Sequence, residues 1–395
     1  MSAVVYNPFA PDFYADPDNP RAVYRRLRDE SPAHWSEQAN MWALSRYEDV
    51  RNALLNWKVF SNEAGAGSTG PVGEWFRKYP NVLMFDPPRH TQMRRILASL
   101  ITPDRMHGLA GGIREIVVDL LTPLEQQAEF DLTEDFADKL PSLVIADLLG
   151  IPREHAATLM KAVDKLADFH QPDIQKATGE ALETLRDYYV QVFEERRKRG
   201  PGGDIIWHLL EGVKNGILKE NEAIGFAIVV TIAGGETTTK MIGNMAALLY
   251  RNPDQREKLL ESPNLMRDAI EEALRYNSST HMLTRTLTED FQLHGQTMKK
   301  GDTVAMIYNA ANNDDRKFAD PDTFDITRPA RRDHLAFGGG VHACIGAPLA
   351  RLELVIAFEE LLKRWPRYEL DLSRSVRFRN PFAQGWRHLP LLTSK

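Results

Sequence analysis

Helical periodicity dominates the order of apolar and polar residues. Segments 21–30, 90–100, 111–129, 140–149, 179–199 and 255–275 repeat apolar residues at three- and four-residue intervals, and most are bounded by Pro or Gly. Strand-like alternation is sparse. It is confined to 42–45, 291–293, 297–298 and 303–307, with turn signals at His294-Gly295 and Lys300-Gly301. The pattern predicts a mainly α protein with a minor β region, one domain over residues 1–395, without a fixed repeat or a low-complexity tract.

Residues 223–250 are apolar on nearly all sides and predict one central helix of about 42 Å, at about 1.5 Å per residue. Its middle reads Ala233-Gly234-Gly235-Glu236-Thr237-Thr238-Thr239. Two glycines and three β-branched residues weaken a helix where a core helix should be strongest. A charged Glu there needs a reason. We expect a kink or widened turn that leaves room for a ligand.

Composition narrows the class. The chain has 395 residues, 43% of them apolar, with 49 basic against 55 acidic side chains and a net charge of −6. That is an ordinary globular composition, and it lacks the clustered basic surplus of a general nucleic-acid binder. The single cysteine, Cys344, points to a reducing cytoplasm. The N-terminus has no basic region followed by an apolar run, and the longest apolar stretch, 223–233, is too short to span a bilayer. Neither secretion nor membrane insertion is expected.

Gly65-Ala66-Gly67-Ser68-Thr69-Gly70 matches a dinucleotide fingerprint, but no strand–turn–helix unit surrounds it. Residues 62–73 read instead as a loop of the kind that covers a binding site. Nucleotides and electrons must therefore come from another protein.

The informative segment is Phe337-Gly338-Gly339-Gly340-Val341-His342-Ala343-Cys344-Ile345-Gly346-Ala347-Pro348. Its glycines let something flat approach the backbone. Leu349, Leu352, Ile356 and Leu361-Leu362 then mark a helical stripe, which puts Cys344 just before a helix N-terminus, where amides and dipole favour a thiolate. A nucleophile, a metal ligand and an inert buried cysteine are the three readings, and the glycine loop favours function.

Phe337-x-Gly-x-Gly340-x-His342-x-Cys344-x-Gly346 resembles the haem-binding signature of the cytochrome P-450 family in its bacterial form. Four further segments resemble that family in the same order. They are His90-x-x-x-Arg94 after Asp86-Pro-Pro, Ala233-Gly234-x-Glu236-Thr237-Thr238, Glu272-x-x-Arg275, and the meander from Ala311 to Arg328. The resemblance runs over roughly residues 5–393. It implies the P-450 fold, a long central helix over haem b, and no fused reductase.

The resemblance also assigns roles. Cys344 would be the axial thiolate on iron, pushing electron density toward bound O₂. Phe337, Gly338 and Gly346, with Ala350 beyond them, would lie against the haem, as would Ala233, Gly234 and Thr237 from the other side. His90, Arg94, Arg285 and His342 would meet its propionates. Glu236 and Thr237 would deliver protons for O–O cleavage, unless Thr237 only bonds back to a carbonyl. Glu272, Arg275 and Arg328 would be structural. Val229, Ala233, Thr280, Leu283 and Phe382 would line a substrate pocket built from segments 65–82, 169–174, 229–233, 279–283 and 382–383.

The reaction so implied is insertion of one oxygen atom of O₂ into a hydrophobic small molecule, by hydroxylation or epoxidation, in secondary metabolism. The enzyme would be a cytoplasmic monomer, with electrons from a ferredoxin-type partner and its NAD(P)H-dependent reductase. That partner would dock on a basic patch of Arg94, Arg95, Arg105 and Arg351. The rivals are a peroxide-driven peroxygenase, against which Glu236-Thr237 argues, and a haem sensor without turnover.

Overall fold

The computed structural model describes residues 4–10, 12–15, 19–65, 70–98, 100–167, 173–329 and 331–393. One helix, Glu220–Arg251, runs through the centre and is buried on nearly every side. Lys219 N–H donates to the Glu222 carboxylate at 2.7 Å, which closes the helix start, and Arg89 pairs with the same carboxylate. The predicted interval 223–250 is thus extended by three residues at one end and one at the other. Contrary to expectation, the helix is unbroken across Gly234 and Gly235. A π-helical turn occurs instead at Leu132–Ala137, packed against it.

Helices Lys139–Leu149, Ala156–Ala167, Ile174–Arg199 and Ile205–Lys214 pack around this axis on one side, and Ala347–Arg364 and Met266–Asn277 on another. Their ends carry familiar signals. Asp173 caps Lys176 N at 3.2 Å, Asp204 caps Trp207 N at 2.9 Å, and Gly150 closes its helix at φ +74°.

The β region lies to one side. Five strands order as Ala33–Ser36, Met41–Leu44, Thr303–Ile307, Met282–Leu287 and Phe60–Ser61, with the second and third parallel. Phe291–Leu293 and Gln296–Met298 form a hairpin over His294-Gly295, both at positive φ. Near the C-terminus, Val376–Arg379 pairs with Gln384–His388. The largest apolar core wraps the central helix. A second lies under the five-stranded sheet, and Tyr6, Phe13, Tyr14 and Tyr24 build a third with Met282 and Ile307.

Two predicted helices have other bounds. The 111–129 segment starts at Pro103, capped by Thr102, and ends at Leu121, after which Glu129–Asp131 is a strand. The 255–275 segment is two helices, Pro253–Glu261 and Met266–Asn277, parted at Ser262-Pro263. Among the described residues no helix is long and apolar enough to cross a membrane.

Candidate active site

Cys344 sits on a tightly folded loop. Cys344 N donates to Phe337 O at 2.9 Å and Gly338 N to Leu335 O at 2.8 Å. Gly340 has φ +64°, and a Cβ there would stand 2.6 Å from the Leu54 carbonyl oxygen, so only glycine fits this approach. Ala350, in the first turn of helix Ala347–Arg364, donates to Gly346 O at 2.9 Å. Phe337 is capped by Arg351, whose guanidinium carbon lies 4.5 Å from the ring centroid.

Cys344 is accessible, yet it lies at a deep position ringed by protein. Burial pushes its thiol up, and that outweighs the Gly346 and Ala347 amides and the cations Arg94 and Arg351, which pull it down. The amides of the helix start thus favour the thiolate as expected, without being sufficient by themselves. Desolvation exceeds the dipole, and a bound cation has to supply the difference.

Beside this loop converge four nitrogen donors. His342 Nε2 lies 3.3 Å from Asp86 Oδ1, and its ring centroid is 4.2 Å from that of His90. Asp86 is also held by Ser61 Oγ at 2.6 Å and Asn62 N at 3.3 Å. The Nδ1 atoms of His90 and His342 are buried without a partner. Arg285 is buried and donates to its neighbour's carbonyl, Thr284 O, at 2.8 Å. Burial, then His342 and Arg94, lower His90 to about 4. Both imidazoles are thus held toward the neutral form, and the positive charge beside the engaged Asp86 carboxylate rests on Arg94 and Arg285; two guanidiniums and two imidazoles with unpartnered nitrogens fit the two carboxylates of a haem.

The central helix presents one accessible stripe. Val230, Ala233, Gly234 and Thr237, spaced three, four and seven apart, carry accessible surface on one face, while the partly buried Ile232 lies on the opposite side and packs against the core. Small residues make this face flat. Thr237 Oγ1 donates to Ala233 O at 2.9 Å, so the back-bond exists and the oxygen keeps a lone pair as acceptor. Glu236 is buried, 9% exposed, and its Oε1 has no partner. One residue back is about 100° around a helix. Its carboxyl therefore lies off the Thr237 stripe, and the structure does not bring the two side chains onto one face.

Glu272, Arg275 and Arg328 form one buried network. Arg275 binds both Glu272 oxygens at 2.8 Å, and Arg328 Nε reaches Oε1 at 3.1 Å. Arg275 also donates to Asn312 O and Pro321 O, which ties the helix to the meander.

Among the pocket residues, Val229 is buried and Leu283 partly buried, while Thr280 bridges Ala383. The Phe382 ring meets Phe9 at 6.4 Å, edge to face. Segment 169–172 and residues 66–69 lie outside the described residues.

The basic patch is assembled differently from the expectation. Arg105 donates to Gly203 O at 2.6 Å, which turns it away, and Arg351 is bound by Glu271. A surface groove of about 660 Å³ beside the cysteine-loop helix is lined instead by His107, Arg114, Arg267, Arg332 and Arg351. Arg267 and Arg332 had no signal in the sequence, because three helices have to meet to form the groove.

A glycine loop presenting one cysteine, a flat helix stripe and a cluster of nitrogen donors define the class of haem-thiolate proteins. The chain matches the cytochrome P450 family model over residues 16–385. It is 33% identical to the putative cytochrome P450 123 of Mycobacterium tuberculosis over 398 residues, 98% of this chain and 96% of that one. It is 32% identical to the polyketide biosynthesis cytochrome P450 PksS of Bacillus subtilis, over the full length of both. Among solved structures, CYP109E1 from Bacillus megaterium in complex with testosterone superposes with a TM-score of 0.88 at 32% identity, covering 95% of this chain and 98% of that one. The chain belongs to the cytochrome P450 family, and is a haem-iron monooxygenase, an oxidoreductase that relies on redox partners and takes hydrophobic substrates.

Proposed function

We propose that this chain binds haem b through Cys344 and oxidises a hydrophobic small molecule bearing a few polar groups. The balance is one C–H bond, one O₂, two electrons and two protons in, and one C–OH and one water out. Bound haem supplies the O₂ activation, and a cysteine thiolate below it favours O–O cleavage. His90, Arg94, Arg285 and His342 pair the propionates. Ala233 and Gly234 let the helix stripe lie close. Thr237 Oγ1 accepts a proton-bearing group on that stripe while its own hydrogen stays on Ala233 O. Val229, Thr280 and Leu283 face the substrate. Glu272, Arg275 and Arg328 hold the scaffold.

The observation that carries this reading is the donor cluster with two orphaned imidazole nitrogens, beside a lone cysteine on a glycine loop. The groove, in which Arg114, Arg267, Arg332 and Arg351 outnumber Glu271 and Glu359, suits an acidic ferredoxin, itself reduced with NAD(P)H. The lone cysteine suits the cytoplasm. One solved relative binds testosterone, another an acyl carrier protein loaded with a fatty acid, and PksS is named for polyketide biosynthesis. These names favour a bulky lipid-like substrate.

The test is the haem-loaded protein with NADH, reductase, ferredoxin and a panel of steroids, acyl chains and polyketides under ¹⁸O₂. Product carrying one ¹⁸O is expected. Product that forms with peroxide and not with NADH means a peroxygenase, and tight haem without product in either mode means a sensor.

A further inference from the structure

Glu271 and Glu272 are neighbours on helix Met266–Asn277, about 100° apart around it. Glu272 serves the buried network that holds the meander. Glu271 serves the cysteine loop and is 4% exposed. Its Oε2 receives His334 Nε2 at 3.0 Å and Arg351 Nη2 at 2.9 Å, and its Oε1 receives Arg351 Nε. Burial raises this carboxyl, but the hydrogen bonds from His334 and Arg351 outweigh it and hold the group down at about 2. One charged carboxylate therefore orients two side chains at once.

Both side chains end on the loop that carries Cys344. His334 Nδ1 accepts Ala336 N–H at 3.2 Å. An amide can only donate, so the ring hydrogen is on Nε2 and points at Glu271. The next residue, Phe337, lends its carbonyl to Cys344 N at 2.9 Å. The His334 ring lies 6.0 Å from the Phe337 ring, and the Arg351 guanidinium covers that ring at 4.5 Å. Contacts thus lead without a break from Glu271 to the Cys344 amide. Glu271 and Arg351 also line the surface groove, where the Arg351 side chain is 36% exposed, while His334 is buried behind them. A cation meant only for docking gains nothing from an internal carboxylate that cancels its charge toward a partner. A fork that grips a carboxylate and lies flat on a ring fixes position.

We propose that Glu271, His334 and Arg351 are positioning residues: through Ala336 N–H and the Phe337 ring they fix the cysteine loop, and so the surroundings of the Cys344 sulfur, from the groove side. This rests on Cys344 as the iron ligand, proposed above. A loosened loop admits water to the sulfur, and hydrogen bonds to a ligating thiolate raise the reduction potential of the iron.

Two substitutions test this. Arg351→Lys keeps the charge and loses the fork and the flat stacking, so a shift there is not a charge effect, and Glu271→Gln keeps the shape and loses the charge. In the haem-loaded protein, deuterium uptake by the peptide covering 335–348 should be about tenfold faster in both, a readout that needs no turnover. The reduction potential should rise by about 59 mV, a tenfold change in a one-electron equilibrium. His334→Asn can still accept Ala336 N–H through Oδ1 but falls short of Glu271. It should show a smaller shift in the same direction, and it serves if the other two lose haem. Either readout unmoved in both Arg351→Lys and Glu271→Gln overturns the proposal. A change confined to salt-dependent reduction by an acidic ferredoxin does the same, and makes Arg351 a docking residue. A wild type whose reduced, carbon monoxide-bound spectrum is not that of thiolate-ligated haem overturns the ligand reading instead, and the loop exchange stands apart from it.

Discussion

Arg275 grips Glu272 with two prongs, Nε to Oε2 and Nη2 to Oε1, both at 2.8 Å, and neither side chain has any exposure. An ion pair so placed costs desolvation on both sides. It holds because Arg328 and the carbonyls of Asn312 and Pro321 satisfy what remains.

Removing one partner should be severe. Glu272→Ala leaves two buried guanidiniums unpaired, and we expect a loss of about 3–5 kcal/mol. Haem content on purification and denaturant melts check this. Full haem occupancy with an unchanged melting midpoint would refute a structural role.

Cys344→His should move the absorption maximum of the reduced, carbon monoxide-bound protein from the position of thiolate-ligated haem to that of histidine-ligated haem. An identical spectrum in both proteins would remove Cys344 as the ligand.

Thr237→Ala keeps the helix, because Ala lacks only a hydroxyl whose hydrogen already rests on Ala233 O. NADH consumption should stay within about twofold, product per NADH should fall by about tenfold, and hydrogen peroxide should rise to match. Measuring all three together separates this from a purely structural hydroxyl, which predicts unchanged coupling.

Arg267 and Arg332 line the groove beside the cysteine-loop helix, and the Arg332 side chain is 68% exposed. Charge reversal at either should slow reduction by an acidic ferredoxin about threefold or more at low salt, with the difference vanishing near 1 M salt. A rate independent of salt in every variant would place the docking face elsewhere.

Glu353, in the cysteine-loop helix, is buried with an unpartnered Oε2, and burial raises it from 4.5 to about 8. The folded state binds this proton more tightly than the unfolded chain. Its stabilising contribution is therefore complete below about pH 4.5 and is lost as pH rises to about 8. Glu353→Gln removes the titration. Relative to wild type it should be neutral near pH 5 and more stable by about 1–3 kcal/mol near pH 8, read from thermal unfolding at the two pH values.

Local signals were legible in the residues, and long-range placement was not. The hairpin at His294-Gly295 was readable because both positions adopt positive φ, and the cysteine loop because its glycines and Cys344 are spaced within ten residues. The start of the helix at Pro103 was marked by Thr102-Pro103, but Gly108, Gly111 and Gly112 weakened the periodicity behind it. Glu236 and Thr237 are neighbours in sequence and sit on different faces, which only the helix phase reveals. Arg105 looked like part of a basic patch until its reach to Gly203, 98 residues away, turned it aside.

The stripe of Val230, Ala233, Gly234 and Thr237 also bears on how readily such an enzyme acquires new selectivity. Most of the central helix's circumference is committed to the core, where altered volume costs several kcal/mol. Val230, on the stripe, is partly buried and also packs against that core, while Ala233 is exposed, so these two positions are where side-chain volume can be added toward the open face. A combinatorial library confined to those two sites can therefore sample many shapes of this face while the buried positions stay fixed, and evolvability in this chain is concentrated on about two turns of helix.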